Sequence, residues 1–234
     1  MSAYAGPEIV NSGLVLALDA NNTKSYPGTG TAWNDLSGNG RNFTWVTTPT
    51  FTTGQINYFN TLSNRCSGPA SNSFGIDNTS GYTIFLIMMQ NALVATGAFK
   101  FYSTTAYVNR GIFSHCTWND DVVYFDQGGC CAGDTRTSVA SGGSQTWNIW
   151  AFRRLTGSST RSIHKNGVTL ATNTAAAANI DLNTTAVDLG STDEYGGNSS
   201  TWNARLNAFH VYNRGLTDAE ILQNFNALRG RFGL

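Results

Sequence analysis

The sequence predicts an all-β protein of two packed sheets with one short helix at its carboxyl end. Three observations lead there. Short runs rich in Val, Ile, Thr and aromatic residues alternate with clusters of Gly, Asn, Ser and Asp, the pattern of strands joined by tight turns. Ile84 to Met89 is apolar without alternation, as in a strand covered on both faces, whereas Arg161 to Lys165 alternates and is expected to keep one wet face. Finally, no strand–helix–strand alternation calls for a parallel sheet.

A chain of 234 residues fits one sandwich, a class that often runs to roughly 200–250 residues as a single domain. The expected organisation is an arm over residues 1–12 followed by one domain over 13–234. The first strand, Leu14 to Leu18, stops at Asp19 before a turn-rich loop in which Trp33 to Gly40 sets one indole among turn residues, as in a loop pinned to the body. Further strands are expected at Gln55 to Phe59, Thr83 to Gln90, Gly111 to Cys116, Val122 to Asp126, Trp147 to Leu155, Arg161 to Lys165, Val168 to Thr172, Val187 to Leu189 and Asn207 to Tyr212. Asn166-Gly167 between two of them marks a hairpin, because a type I′ turn needs positive φ at both central residues. Ala175 to Ala178 reads as loop. Thr217-Asp218-Ala219-Glu220 has the spacing of a capping box, with Ile221, Leu222, Phe225 and Leu228 recurring on one face before Gly230.

Charged residues make up only 12% of the chain, with 14 basic and 14 acidic side chains, so the surface is neutral and rich in amides and hydroxyls. Such a balance offers no cationic excess for nucleic acid. Ile84 to Met89, the longest apolar stretch, is far too short to span a bilayer, so no membrane partner is expected. The amino terminus lacks the basic start and apolar core of a secretory signal, which predicts a cytoplasmic product unless a particle carries it out. Cys66, Cys116, Cys130 and Cys131 are too sparse for a disulfide framework; reduced thiols are expected, and a bond between the adjacent Cys130 and Cys131 is not.

Catalysis finds little support. The glutamates Glu8, Glu194 and Glu220 lie in unrelated contexts, so no carboxylate pair for glycoside hydrolysis is evident, although Asp120, Asp121 and Asp126 cluster in sequence. His115, His164 and His210 sit in separate strands without a nucleophile elbow. His115, Cys116, Cys130 and Cys131 carry zinc donors but lack the paired spacing of zinc sites, and free cysteine more often packs as a small hydrophobe.

Three segments resemble the laminin G-like subset of concanavalin A-like domains found in tailed-phage particle proteins, including those of phages that infect cyanobacteria. They are Gly13 to Ala20 with Ser25 to Gly30 and Trp33 to Gly40, then Lys165 to Val168, then Val211 to Ile221. The resemblance covers nearly the whole chain and implies a two-sheet antiparallel jelly roll, a fold used for glycan binding, adhesion, particle decoration and polysaccharide cleavage. It implies a non-enzymatic virion protein that decorates the capsid or forms a surface appendage. Its partners would be the major capsid protein, other virion subunits or further copies of itself, with residues 1–12 ordering on docking. A host-surface glycan adhesin is the alternative, and the two can coexist. No cofactor is required. The resemblance also implies an edge calcium site, for which Asp19, Asn21 and Asp35 are the candidates; capping of turns is the competing reading of both aspartates. For glycan binding, which sets an aromatic face against a sugar ring, the candidates are Tyr195 with Trp202, and Trp118 with Asp121; core packing is the competing role for each tryptophan.

Overall fold

The computed structural model describes residues 7–62, 64–104, 110–176, 179–192 and 202–234. In chain order its strands are β1 (Leu14–Asp19), β2 (Ala32–Trp33), β3 (Phe43–Trp45), β4 (Thr50–Thr52), β5 (Tyr58–Asn60), β6 (Cys66–Ala70), β7 (Tyr82–Gln90), β8 (Gly97–Tyr102), β9 (Arg110–His115), β10 (Val122–Gln127), β11 (Arg136–Ala140), β12 (Asn148–Arg154), β13 (Arg161–Lys165), β14 (Val168–Asn173), β15 (Ala186–Thr192) and β16 (Ala204–Tyr212), followed by helix α1 (Asp218–Leu228). The first sheet runs β14-β13-β12-β7-β16-β5-β4, with β1 also on β16; the second runs β11-β10-β9-β8-β15-β6-β3-β2. Every pairing is antiparallel. The molecule is thus the two-sheet sandwich with one short terminal helix that the sequence predicts, and each of the ten expected runs overlaps a strand.

Between the sheets, aromatic rings interdigitate. Phe43 meets Phe209 at 6.3 Å between centroids, Phe209 meets Phe99 at 5.7 Å, Phe99 meets Phe152 at 5.3 Å, Phe152 meets Phe125 at 5.4 Å, and Phe125 meets Tyr82 at 6.2 Å. Successive rings come from opposite sheets. Trp33, fully buried as its loop context predicts, stacks on Trp45 at 6.0 Å and joins this core through Phe59. Strand β7 is covered twice: Ile84, Leu86 and Met88 face the second sheet, while Phe85 and Ile87 form a separate cluster with Ile221, Leu228 and Phe232 of the carboxyl-terminal segment.

The same cover corrects one expectation. Strand β13 has no wet face, because Ser162 and His164 are buried on the helix side, where Arg153 donates to Ser162 Oγ (3.1 Å), Leu216 O (3.0 Å) and Asp218 Oδ1 (2.6 Å). The half-exposed edge is β14. Its hairpin to β13 turns at Asn166 (φ +52°) and Gly167 (φ +80°), and a Cβ at Gly167 would lie 3.0 Å from Leu222 of the packed helix. Helix α1 begins with the full capping box: Glu220 N donates to Thr217 Oγ1 (3.2 Å) and Thr217 N to Glu220 Oε2 (2.8 Å). Leu222, expected on the buried face, is 45% exposed, and Asn224 takes an inward position instead.

Asn224 is needed there by the amino-terminal arm. Val10 is buried; its amide donates to Asn224 Oδ1 (2.7 Å), and its carbonyl accepts the Tyr212 hydroxyl (2.8 Å), which itself accepts from Asn224 Nδ2 (3.0 Å). Gln223 Nε2 also donates to Glu8 O. These arm residues are therefore already docked on the domain's own helix, which corrects the expectation that they order only on a partner. Cys130 and Cys131 are a second correction: they are joined by a disulfide, Cys131 adopting φ +73°, while Cys66 and Cys116 are free and buried.

Deleting residues 1–12 exposes the Val10 site and leaves the Tyr212 hydroxyl proton and Asn224 Oδ1 without their Val10 partners beneath the helix. The expected loss is about 3 kcal/mol, read as a lower urea midpoint; an unchanged midpoint contradicts the docking described. Acid acts elsewhere. Burial, reinforced by the Arg153 charge and opposed by Asp218, pushes His164 down to about 4, and burial does the same to His210, where Arg231 reinforces it and Asp19 and Asp35 oppose it. The unfolded chain takes up these protons near pH 6.5, so stability is full above that value and falls as pH drops toward 4. Asp77 and Glu220, held at about 2 by hydrogen bonds, withdraw their contribution only below about 4.5. Urea midpoints from pH 7 to 4 should therefore decline in the wild type and flatten in a His164→Gln, His210→Gln double variant.

Candidate binding site

Strand register places one row of side chains across the outer face of the second sheet: Arg136, Asp126, Phe113, Lys100, Asp188 and Ser67, on β11, β10, β9, β8, β15 and β6. Their neighbours Phe125, Ile112, Phe99 and Leu189 turn toward the intersheet core, so the period of two commits this row to the opposite face, where Asp126, Phe113, Lys100 and Asp188 are themselves buried. Its charges alternate. Asp126 receives a bidentate pair from Arg136 (2.6 and 2.7 Å), and Asp188 accepts from Arg65 Nη1 (2.7 Å), Ser67 Oγ (2.5 Å) and Tyr102 OH (2.7 Å). The Lys100 ammonium lies 4.6 Å from the centre of the Tyr102 ring. Opposite charges set directly across from one another support the sheet, and bidentate guanidinium contacts hold it rigid.

At the β9–β10 turn this plate reaches solvent. Trp118 is half-buried, packed edge-on to His115 at 4.3 Å, and followed by exposed Asn119 and Asp120. Asp120 accepts from Val122 N (3.0 Å) and Tyr124 OH (2.7 Å), and that hydrogen bond raises the tyrosine pKa. The Arg136 guanidinium sits 4.5 Å over the half-buried Tyr124 ring. Behind the turn, Asp121 (φ +59°) accepts from Ser141 Oγ (2.7 Å) and Ser144 Oγ (2.6 Å), fastening it to the next loop, whose carbonyls at Ser141, Gly142 and Gly143 are gathered by Lys165 Nζ. The result is a set of two partly exposed aromatic rings with a carboxylate and a guanidinium held by their own partners, beside the exposed amide of Asn119. That combination suits a neutral or acidic sugar: apolar ring faces beside planar hydrogen-bonding groups.

Of the expected glycan residues, Trp118 lies in this site and Asp121 positions it. Trp202 is corrected: it is fully buried in the core and presents no exposed ring. Tyr195 lies outside the described residues. Asp120 lies within the expected Trp118 to Asp121 segment; Tyr124 and Arg136 were missed, and the alternation in Val122 to Asp126 could have marked Tyr124 as outward, but Arg136 joins only through pairing.

The calcium expectation is also corrected by geometry. Arg231 donates to both Asp19 oxygens (2.8 and 3.0 Å), Asn21 Oδ1 accepts from Asn57 N and Asn207 Nδ2, and Asp35 accepts four bonds from Ala17, Ser37 and Arg41. A guanidinium stands where the ion would be needed, and both aspartates follow the turn-capping reading; these residues do not fit a calcium ion. Among the described residues no group of three His, Cys, Asp or Glu side chains is placed to hold a metal. Asp120, Asp121 and Asp126 each face their own donors, as above, and do not form a shared pair.

No protein-family model matches the chain, and no curated protein sequence matches it. Solved structures do. The binding domain of Paraclostridial Mosquitocidal Protein 1 superposes with a TM-score of 0.66 at 18% identity, covering 92% of this chain and 52% of that one. The binding domain of botulinum neurotoxin DC in complex with SialylT gives 0.66 at 12%, covering 93% and 52%. Trypanosoma rangeli sialidase in complex with sialic acid gives 0.65 at 13%, covering 94% and 33%. The chain thus spans about half the length of the toxin domains and a third of the sialidase. At these identities the likeness establishes the β-sandwich fold.

Proposed function

We propose that this chain is a non-catalytic carbohydrate-binding module carried on the surface of a tailed-phage virion. The observation that carries the binding reading is the rigid Trp118–Tyr124 aromatic set with Asp120, Asn119 and Arg136 at its rim. The sandwich neighbours include a toxin binding domain in complex with SialylT and a sialidase in complex with sialic acid, which supports a glycan as ligand class. The virion placement rests on the resemblance of the Gly13 to Gly40 and Val211 to Ile221 segments to phage particle proteins.

A second reading, a capsid-decorating protein that contacts the major capsid protein or other virion subunits, is favoured by the low charge of the chain, 12% of residues, since a neutral amide-rich surface loses little charge hydration on docking. A glycan array probed with the full chain separates the two. Binding of a glycan subset, weakened about tenfold or more by Trp118→Ala and by Asp120→Asn, supports the module; circular dichroism should show both variants folded. Binding should persist in EDTA, as no site residue needs a metal. An array without binding, combined with averaged electron density on the head lattice of purified particles, replaces the module with decoration.

A further inference from the structure

A second row of side chains, on the inner face of the first sheet, breaks the charge rule that the outer row obeys. Register sets Tyr82, Arg154, Arg161 and Asn173 side by side on β7, β12, β13 and β14, at the end of the sandwich opposite the Trp118 turn. Arg161 is fully buried and Arg154 is 7% exposed. Two like charges are therefore direct cross-strand neighbours in the interior, an arrangement that repels and that desolvates both.

Among the described residues no carboxylate hydrogen-bonds to either, and Asp134 acts on Arg161 only through the charge of its exposed side chain. Among the described residues, Arg154 donates from Nε to Ser158 O (2.9 Å) and from Nη1 to Asn78 Oδ1 (3.1 Å). Arg161 donates from Nη1 to Ser159 O (3.3 Å) and from Nη2 to the backbone carbonyl of Asp134 (2.9 Å), whose own side chain is exposed. All four acceptors are neutral. The Arg161 Nε is buried and has no partner. Tyr82, the nearest phenol, is committed to Gln127 Oε1 (2.9 Å) and kept protonated by burial. Several other buried or half-buried guanidinium groups are paired with acids, Arg136 with Asp126, Arg153 with Asp218 and Arg231 with Asp19, whereas half-buried Arg41 is held by the carbonyls of Ser73 and Val15. A buried cation pair with an orphaned N–H calls for a negative charge beyond those the described residues place beside it.

We propose that the Arg154–Arg161 pair binds one small inorganic oxyanion, of the phosphate or sulfate kind, between the β12–β13 and β10–β11 hairpins. The orphaned Nε of Arg161 supplies a directed donor, and Arg154 supplies the second charge. Burial of both limits the ligand to an ion rather than a sugar or nucleotide. Bound there, the anion removes the repulsion between the strand ends, which makes it a structural ligand independent of the glycan site.

Isothermal titration of phosphate and of sulfate into the full chain, at ionic strength held constant with chloride, tests this. One saturable site per chain is expected, with a melting temperature that rises with phosphate concentration. Arg161→Met should weaken binding at least tenfold and abolish the phosphate dependence, while in phosphate-free buffer it melts no lower than the wild type, since it removes an uncompensated buried charge. Arg154→Gln, whose Nε2 falls near the arginine Nε and keeps the Ser158 carbonyl within reach, is the second variant and should also weaken binding. Absence of saturable heat with the wild type at millimolar phosphate and sulfate overturns the site, whether or not either variant folds; equal phosphate dependence in wild type and Arg161→Met overturns it as well, by marking a general salt effect.

Discussion

The aromatic row between the sheets is the interaction on which the remaining structure depends. Its rings alternate in origin, Phe43, Phe99 and Phe125 from the second sheet against Phe209, Phe152 and Tyr82 from the first. Each buried ring contributes roughly 1.5–3 kcal/mol through burial, and each edge-to-face contact adds about 0.5–1.5 kcal/mol. More consequential is the register it imposes. A slip of one residue in any strand would carry its ring to the opposite face, so filling the centre with aromatics also decides which side chains must face outward.

The two outward faces are then solved differently. On the first sheet Phe85, Ile87, Ile149 and Ala208 point away from the core, and an apolar face needs a lid; the carboxyl-terminal helix and Val10 provide it. On the second sheet the outer row carries Arg136 paired with Asp126, and Asp188 paired with Arg65 and set across from Lys100. A polar plate satisfied by its own ion pairs leaves its end at the β9–β10 turn available to hold rings and polar groups toward solvent. The proposed sugar contacts therefore lie on the face that the core did not make apolar.

Arginine recurs as the group that completes sites. Arg231 takes the charge of Asp19 across 212 positions of sequence, which turns a constellation of oxygen ligands into a tether for the chain end. Arg136 both anchors Asp126 and stacks on Tyr124, so a structural ion pair also shapes the proposed sugar site. With few acids in the chain, each cation that lacks one becomes conspicuous, and the Arg154–Arg161 row is the clearest instance.

What the sequence by itself determined is local. The Asn166-Gly167 turn, the Thr217–Glu220 box and the apolar strands were legible because positive φ, side-chain capping and a period of two act within a few residues. The strands it missed are the edges β2, β4 and β11, the three-residue β3, and β6 and β8, which contain Gly with Pro or an outward-facing Lys100; they are held in place by their neighbours rather than by their own composition. Tertiary structure alone decided that Trp202 is core while Trp118 reaches the surface, since both are tryptophans in polar contexts and only packing distinguishes them. It also decided the charge rows, because Ser67 and Asp188 are 121 residues apart and meet only when their strands pair. A partner at that distance is chosen by sheet order, which is a property of the assembled sandwich and not of any segment within it.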